Sequence, residues 1–193
     1  VLLTHAHADH ITGLDDLRPL NFAQRSSIPI YGTEHTLALV RERFGYAFHD
    51  MSAGSSRPLL QLVGIEAATP FMIGHVQIQP LEVYHGTWTI SGFRVGSLGY
   101  VTDASALPAA SMAALRGLDM LVLNALRHSP HPTHFSLEEA VNVIADLQPQ
   151  RALLVHMTHD LDHEATNATL PPHIQLAFDG QLVEVEDLLT SRK

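Results

Sequence analysis

The residues with the clearest chemical capacity form one short segment near the start of the chain. Residues 4–10 read T-H-A-H-A-D-H, which places four metal-competent side chains within six positions: His5, His7, Asp9 and His10. Imidazole and carboxylate groups suit Zn, Mn, Fe or Co, and no cysteine is present to offer a thiolate. A solvated histidine-rich loop is the alternative, but the spacing H-x-H-x-D-H is a known metal signature. We therefore predict a metal site here, directly after a short apolar strand.

Three further metal-competent residues each follow an apolar run that is typical of a β-strand: His85, Asp103 and His156. A side chain at the carboxyl end of a strand faces a crevice at the sheet rim rather than the core. Taken alone, a histidine at a strand end more often has a structural role. Taken in this order, after a complete H-x-H-x-D-H segment, the three residues are predicted to be further metal ligands.

The elements that must position these residues alternate between strands and helices, which favours a layered α/β fold. The apolar patterns predict strands at residues 1–4, 28–31, 76–84, 88–95 (with a turn at Gly92), 98–102, 120–123 and 153–155. They predict helices at residues 11–17, 33–44, 111–115 and 136–147, the last opened by a Ser136–Glu139 capping box. Asp179-Gly180 predicts a terminal hairpin between residues 175–178 and 182–185.

Length and composition limit the class of protein. The 193 residues, 46% of them apolar, fit a single domain over residues 1–193 with a sizeable core. No run approaches the roughly 18 apolar residues of a membrane span, so we expect no membrane partner and a cytoplasmic protein. The net charge of −9 makes polymeric nucleic acid an unlikely partner, because an acidic surface repels polyanions. A homodimer is the commonest assembly for such a chain.

The motifs resemble those of the metallo-β-lactamase superfamily, most closely its phosphoribosyl cyclic phosphate phosphodiesterase branch. The matching pieces extend over nearly the whole chain: T-H-A-H-A-D-H, Y-H-G at 84–86, Y-V-T-D-A at 100–104 and L-V-H-M-T-H at 154–159. The resemblance implies an α/β, four-layer αβ/βα sandwich. Members usually have strands before the first motif, so we expect an N-terminally truncated domain whose gene encodes more residues upstream.

The resemblance also implies a ligand set for two divalent metal ions, Zn or Mn. His5, His7 and His85 would hold one ion. Asp9, His10 and His156 would hold the other, and Asp103 would bridge the two. A hydroxide between the ions would attack the substrate, since metal ions lower the pKa of water from about 16 toward about 7.

Three residues outside the ligand set are candidates for catalysis or substrate binding. The resemblance points to His134 as the catalytic histidine, with Asp9 contributing to catalysis as well as to metal binding. His159 could touch a substrate phosphate or cap the helix that follows. Arg18 could clamp a phosphate, although a structural salt bridge to a neighbouring aspartate is the more common arrangement.

The leading functional hypothesis is a dinuclear hydrolase that cleaves a small cyclic or nucleotide-like phosphodiester. The same fold and metal site could serve thioester or lactam hydrolysis, or a tRNA-processing nuclease. The acidic charge and the absence of a Lys/Arg cluster count against the nuclease. A non-catalytic metal-binding protein is the remaining alternative, and the complete set of ligand residues counts against it.

Overall fold

The computed structural model describes residues 1–49 and 56–185, which fall into two compact units. The first unit is Val1–Ala67 and the second is Ala68–Lys193. No helix in the described part of the chain is long and apolar enough to cross a membrane.

The first unit is built on a pair of parallel strands, β1 (Ile28–Gly32) and β2 (Leu60–Gly64). The first residues of the chain extend this pair, because Leu2 bridges to Tyr31 and the Leu3 amide donates to the Tyr31 carbonyl at 2.8 Å. The predicted strand at residues 1–4 is therefore present only as a single bridge. It is nevertheless enough to anchor the segment that carries the first four candidate ligands.

Short helices follow this segment in the first unit. They are α1 (Ala8–Ile11), a 3₁₀ helix (Thr12–Leu17), α2 (Arg18–Gln24), α3 (Glu34–Arg43) and a second 3₁₀ helix (Gly45–Phe48). The Thr33 hydroxyl accepts from the Thr36 amide at 3.3 Å and so caps the N-terminus of α3. The buried face of α3, Leu37 and Val40, belongs to the same apolar cluster as Ile30 of β1.

The second unit contains a seven-stranded mixed sheet in which every strand pairs with its neighbour in sequence. Its strands are β3 (Phe71–Ile73), β4 (Val76–His85), β5 (Trp88–Val95), β6 (Leu98–Val101), β7 (Met120–Asn124), β8 (Arg151–Val155) and β9 (Ile174–Leu176). Pairing is antiparallel from β3 to β6 and parallel from β6 to β9. Two antiparallel steps separate β4 from β6, so β4 points the same way as β6, β7 and β8. Their carboxyl ends consequently meet at one edge.

Helices α4 (Ala109–Ala114), α5 (Leu137–Leu147) and α6 (His163–Asn167) complete the second unit. The predicted capping box opens α5, with Ser136 accepting from the Glu139 amide and Glu139 accepting from the Ser136 amide. Ala140, Ile144 and Leu147 lie one turn apart on the buried face. They pack in one core with buried residues of the sheet such as Leu121, Leu123 and Leu154, and burying each large side chain contributes about 1.5–3 kcal/mol.

Two predictions about the strands are wrong. Strand β5 runs unbroken through Gly92, because its register with β4 continues on both sides of that residue. The terminal hairpin does not form: residues 179–180 turn, but no strand follows among the described residues up to 185. Strand β9 pairs in parallel with β8 instead, and Leu182 is left 96% exposed with no sheet to bury it.

Candidate metal centre

The first set of candidate ligands lies in the first unit, immediately after the residues that bridge to β1. His5 is buried, and its Nδ1 lies 3.1 Å from the Thr4 hydroxyl. Its Nε2 faces the His7 Nδ1 at 2.9 Å. Two imidazole nitrogens at this distance need a cation or a single proton between them, because two lone pairs repel each other. The pair is therefore either joined by one N–H···N hydrogen bond or arranged to share a cation.

Helix α1 places the other two candidates of this set beside the first two. The Asp9 Oδ2 lies 3.3 Å from the His10 Nε2, and the rings of His5 and His10 are 4.3 Å apart. Arg43, in the last turn of α3, donates to the carbonyl of Ala6, which lies between the first two histidines. The core helix of this unit thus holds the histidine segment in place. All four predicted residues of the first motif come together.

The second set lies at the edge of the seven-stranded sheet where the parallel ends meet. His85 closes β4 and is buried, and its Nδ1 donates to the Thr133 carbonyl at 2.8 Å. This bond fixes the tautomer and leaves Nε2 to act as a ligand. Gly86 follows with φ +62°, and a Cβ there would lie 2.8 Å from the Thr133 side chain. A glycine is therefore required beside this histidine.

Asp103, the second residue after β6, combines burial with a strained backbone. Its side chain is 2% exposed, and φ is +58°, a left-handed conformation that costs free energy for a residue with a Cβ. The Thr102 hydroxyl donates to Asp103 Oδ1 at 2.7 Å, and His156 Nε2 lies 3.4 Å from the same oxygen. Burial and then the charge of Asp103 raise the pKa of Tyr100. A buried carboxylate of this kind is typical of a cation site.

His156 follows β8 and shares the unusual backbone conformation, also with φ +58°. Within this unit, a potential ligand atom of Asp103 lies within 4.8 Å of one of His85 and, likewise, within 4.8 Å of one of His156. The three strand-end residues predicted as ligands are therefore neighbours around a single carboxylate.

His134 lies among these strand-end histidines. Its ring centroid is 4.7 Å from that of His85 and 4.9 Å from that of His156, against which it stacks. Burial lowers the pKa of His134 to about 4; the charge of Asp103 opposes this shift, while neighbouring histidines add to it. The His134 Nδ1 is buried and makes no hydrogen bond within the described part of the chain. The ring is therefore neutral near pH 7.

The donor chemistry of both sets fits divalent cations. The side chains offer imidazole nitrogens and carboxylate oxygens, the ligands that Zn²⁺ and Mn²⁺ accept, and cysteine is absent. A cation would stabilise the facing nitrogens of His5 and His7, and it would also stabilise the buried carboxylate of Asp103 beside His156. The residues present thus suit divalent metal binding.

The two candidates for substrate binding, Arg18 and His159, each lie beside a neighbouring aspartate. Arg18 donates to the Asp15 carboxylate and, from Nε, to the Asp15 carbonyl at 3.3 Å, which is the structural pairing that the sequence favoured. The side chain of His159 is 96% exposed and lies 3.5 Å from an Asp160 carboxylate oxygen. Asp162, and not His159, caps α6.

Sequence reasoning missed the polar residues that support the second set. Asn124 closes β7, and its side chain bonds to both backbone groups of Ala104. The Ser105 hydroxyl donates to the Tyr84 carbonyl at 3.0 Å and accepts from the Gly86 amide at 2.9 Å, so it bonds on both sides of His85. Asn124 could have been identified as the polar residue that ends the apolar run 120–123, the same signal that pointed to the candidate ligands.

Comparison with known proteins identifies the family. The model of the beta-lactamase superfamily domain matches residues 1–157. The chain therefore belongs to the beta-lactamase superfamily and has the fold of its metal-dependent hydrolases. This confirms the predicted fold class.

A solved structure described as a new diphosphatase from the PhnP family is 40% identical, with a TM-score of 0.85. The alignment covers 93% of this chain and 68% of that one. The chain thus lies near the PhnP branch, as the motifs predicted. The Zn²⁺-bound PqqB of Methylobacterium extorquens is 18% identical with a TM-score of 0.73, over 96% of this chain and 72% of its own, and shows the same fold.

Among curated proteins, the octanoyltransferase of Porphyromonas gingivalis (strain ATCC BAA-308 / W83) is 32% identical over 182 residues. The match covers 93% of this chain but only 36% of that protein. The chain thus spans about a third of that relative's length, and the name describes the whole of a longer protein.

Proposed function

We propose that this protein is a metal-dependent phosphodiesterase that acts on a small cyclic or nucleotide-like phosphate ester. The observation that carries the proposal is the 40% identity with a PhnP-family diphosphatase over 93% of the chain. The histidine and aspartate sets support it, because they supply the ligands that metal-assisted hydrolysis needs. The net charge of −9 favours a small substrate over a polyanion.

The proposed ligand assignment follows the family pattern. His5, His7 and His85 would hold one divalent ion, with Asp103 shared between two ions. Asp9, His10 and His156 would hold the second. Ions bound there, Zn²⁺ or Mn²⁺, would lower the pKa of water toward 7 and stabilise negative charge on phosphoryl oxygens. The Thr133 carbonyl supports this assignment by fixing the tautomer of His85.

We propose that His134 handles the proton on the leaving-group side. Its ring is neutral at pH 7 because its pKa is lowered to about 4. A negatively charged phosphate ester bound beside it would raise that pKa, because an adjacent opposite charge favours the imidazolium form. The same group could then donate a proton to the departing alkoxide.

A panel of substrates tests the reaction class. Metal-loaded protein would be assayed on an aryl phosphodiester, a cyclic ribose phosphate, a glutathione thioester and a cephalosporin. We expect hydrolysis of the two phosphodiesters. Turnover of the thioester or the cephalosporin alone would replace the proposal with one of the carbonyl chemistries that share this metal site.

A metal titration tests the two-ion assignment. We expect about two Mn²⁺ or Zn²⁺ per chain, and we expect Asp103→Ala to lose both metal and activity. The matched control is Asp146→Ala, which removes an exposed carboxylate on α5. Full activity with fewer than about one and a half ions per chain would contradict the dinuclear assignment.

A histidine pair tests the proton role. We expect His134→Gln to lower kcat by about 10²–10⁴-fold at saturating metal, the usual contribution of a general acid, while both ions stay bound. His128→Gln is the control, because His128 lies in the same loop and is exposed. Loss of metal from His134→Gln would instead make this residue a ligand.

A further inference from the structure

We infer that Asn124 is a positioning residue that holds Asp103 in its left-handed backbone conformation and so sets the affinity of the metal site. This inference rests on the proposed metal role of Asp103. It assigns a function to a residue that offers no ligand atom itself, at the carboxyl end of β7.

The contacts of Asn124 are specific and fully buried. The residue is 0% exposed. Its Oδ1 accepts from the Ala104 amide at 2.7 Å, and its Nδ2 donates to the Ala104 carbonyl at 3.0 Å. Both ends of the amide therefore bind one residue, the one directly after Asp103, in the manner of a paired strand. A buried amide is tolerated when both its ends are satisfied in this way.

The bond to the Ala104 amide acts directly on the backbone of Asp103. That N–H belongs to the peptide plane between Asp103 and Ala104, so its direction is set by the ψ angle of Asp103. With φ at +58°, Asp103 occupies a left-handed conformation, which costs a residue with a Cβ free energy although aspartate tolerates it better than most. A strained conformation persists only when surrounding contacts over-determine it. Asn124 supplies such a contact from the neighbouring parallel strand.

The Ala104 carbonyl also accepts from the Phe135 amide at 2.6 Å, and the Phe135 carbonyl accepts from the Leu126 amide at 2.9 Å. Asn124 therefore binds the same carbonyl, that of Ala104, through which the loop of Asp103 is joined to Phe135, the residue after His134. Loss of its side chain would release the carboxylate from its present direction without removing any ligand.

The test compares Asn124→Ala with Asn21→Ala. Asn21 is the matched control because it is also buried and also clamps backbone, donating to Ser26 and Leu59 carbonyls at 2.9 and 3.0 Å and accepting from the Leu59 amide. None of its partners is a candidate ligand. Both variants would be titrated with Co²⁺ and Mn²⁺ alone, with the Co²⁺ absorption spectrum reporting ligand geometry.

We expect Asn124→Ala to weaken metal binding by about 10–100-fold, the usual effect of losing a contact that orients a ligand, and to change the Co²⁺ spectrum. We expect Asn21→Ala to lower the melting temperature while leaving metal affinity and spectrum unchanged. Wild-type affinity and spectrum in folded Asn124→Ala would overturn the inference. Equal losses of metal affinity in both variants would also overturn it, since they would show a general effect of stability.

If Asn124→Ala does not fold, Asn124→Ser takes its place, because its hydroxyl keeps one polar group near Ala104. An intermediate loss of affinity is expected, and unchanged affinity would refute the role. The proposed metal site is refuted if the wild-type protein binds neither Co²⁺ nor Mn²⁺, or if Asp103→Ala binds both normally. The positioning role alone is refuted if the wild-type protein binds metal normally and the Asn124 variants bind it equally well.

Discussion

At the scale of single residues, the second unit concentrates strain and buried polarity at one place. Asp103 and His156 both have φ of +58°; His156 directly follows β8, and Asp103 is the second residue after β6. Such conformations cost about 1–3 kcal/mol each, so the surrounding hydrogen bonds must hold them. Thr102 and Asn124 supply these bonds for Asp103 and its neighbour. Stability has thus been given up at the residues with the strongest capacity for chemistry.

The lowered pKa of His134 makes a testable difference to stability in metal-free protein. Above pH about 6.5 the ring is neutral in both states; as the pH falls toward 4, the unfolded chain binds a proton that the folded ring does not. Stability is therefore lost on acidification. We expect wild type to lose more stability between pH 7 and pH 5 than His134→Gln, measured by urea unfolding. Equal losses would contradict the burial of this ring.

At the scale of elements, strand direction explains how distant residues meet. His85, Asp103 and His156 follow β4, β6 and β8, which all point the same way. The segment with His134 leaves β7 at the same edge and is then fixed by the start of α5. The cap of α5 and the packing of β6 therefore support the candidate site indirectly.

The capping box of α5 gives a prediction about the free energy of unfolding. Ser136→Ala removes the acceptor of the Glu139 amide and should cost about 0.5–2 kcal/mol, the range measured for such caps. Urea unfolding measures this loss. The control is Glu138→Ala, which changes an exposed residue of the same first turn and should have a smaller effect. Leu137 would not serve as a control, because it packs against the core. A larger loss from Glu138→Ala would contradict the role of the cap.

The close packing of residues 115–118, which follow α4, against Gly99 of β6 gives a second prediction. A Cβ at Gly99 would lie 2.7 Å from Leu118 and 2.8 Å from Leu115, both in the core. Gly99→Ala should therefore cost about 1–3 kcal/mol through overpacking. Gly13→Ala is the control, because a Cβ there meets nothing within 4 Å. Comparable thermal stability of the two variants would show that this packing adapts freely.

At the scale of the whole molecule, the acidic charge and the candidate cation sites are linked. The net charge of −9 includes carboxylates such as Asp9 and Asp103 that lie beside histidines. Divalent ions bound there would reduce that charge and the repulsion within the folded chain. The folded protein should thus bind such ions in preference to the unfolded chain.

Metal removal should accordingly destabilise the protein. At a free ion concentration of about 100 Kd, one bound ion stabilises the folded state by about 2.7 kcal/mol. For a chain of this size each kcal/mol corresponds to about 2–4 °C in Tm. We expect chelation to lower Tm by several degrees and Mn²⁺ or Zn²⁺ to restore it, with little response in Asp103→Ala. A Tm that is indifferent to chelation would argue against resident ions.

The amino-acid pattern alone was sufficient to predict the α/β class, the family and most elements of the second unit. Apolar periodicity located β4 to β8, and the Ser136–Glu139 pair located α5, because these signals depend on residues close together in the chain. The strand-end position of His85, Asp103 and His156 followed from the same patterns. The parts that failed were those where neighbouring strands decide, such as Gly92 within β5 and the segment after Gly180.

The way those residues are held in place depends on contacts between distant parts of the chain. The clamp of Asn124 on Ala104 and the bond from His85 to the Thr133 carbonyl join residues 20 or more positions apart. The left-handed φ of Asp103 also has no signal in the local sequence. Burial around His134, which lowers its pKa, likewise depends on groups from separate strands. A local pattern shows which side chains could bind a metal. The tautomers, backbone strain and protonation of these residues depend on contacts that form only when the strands assemble into the sheet.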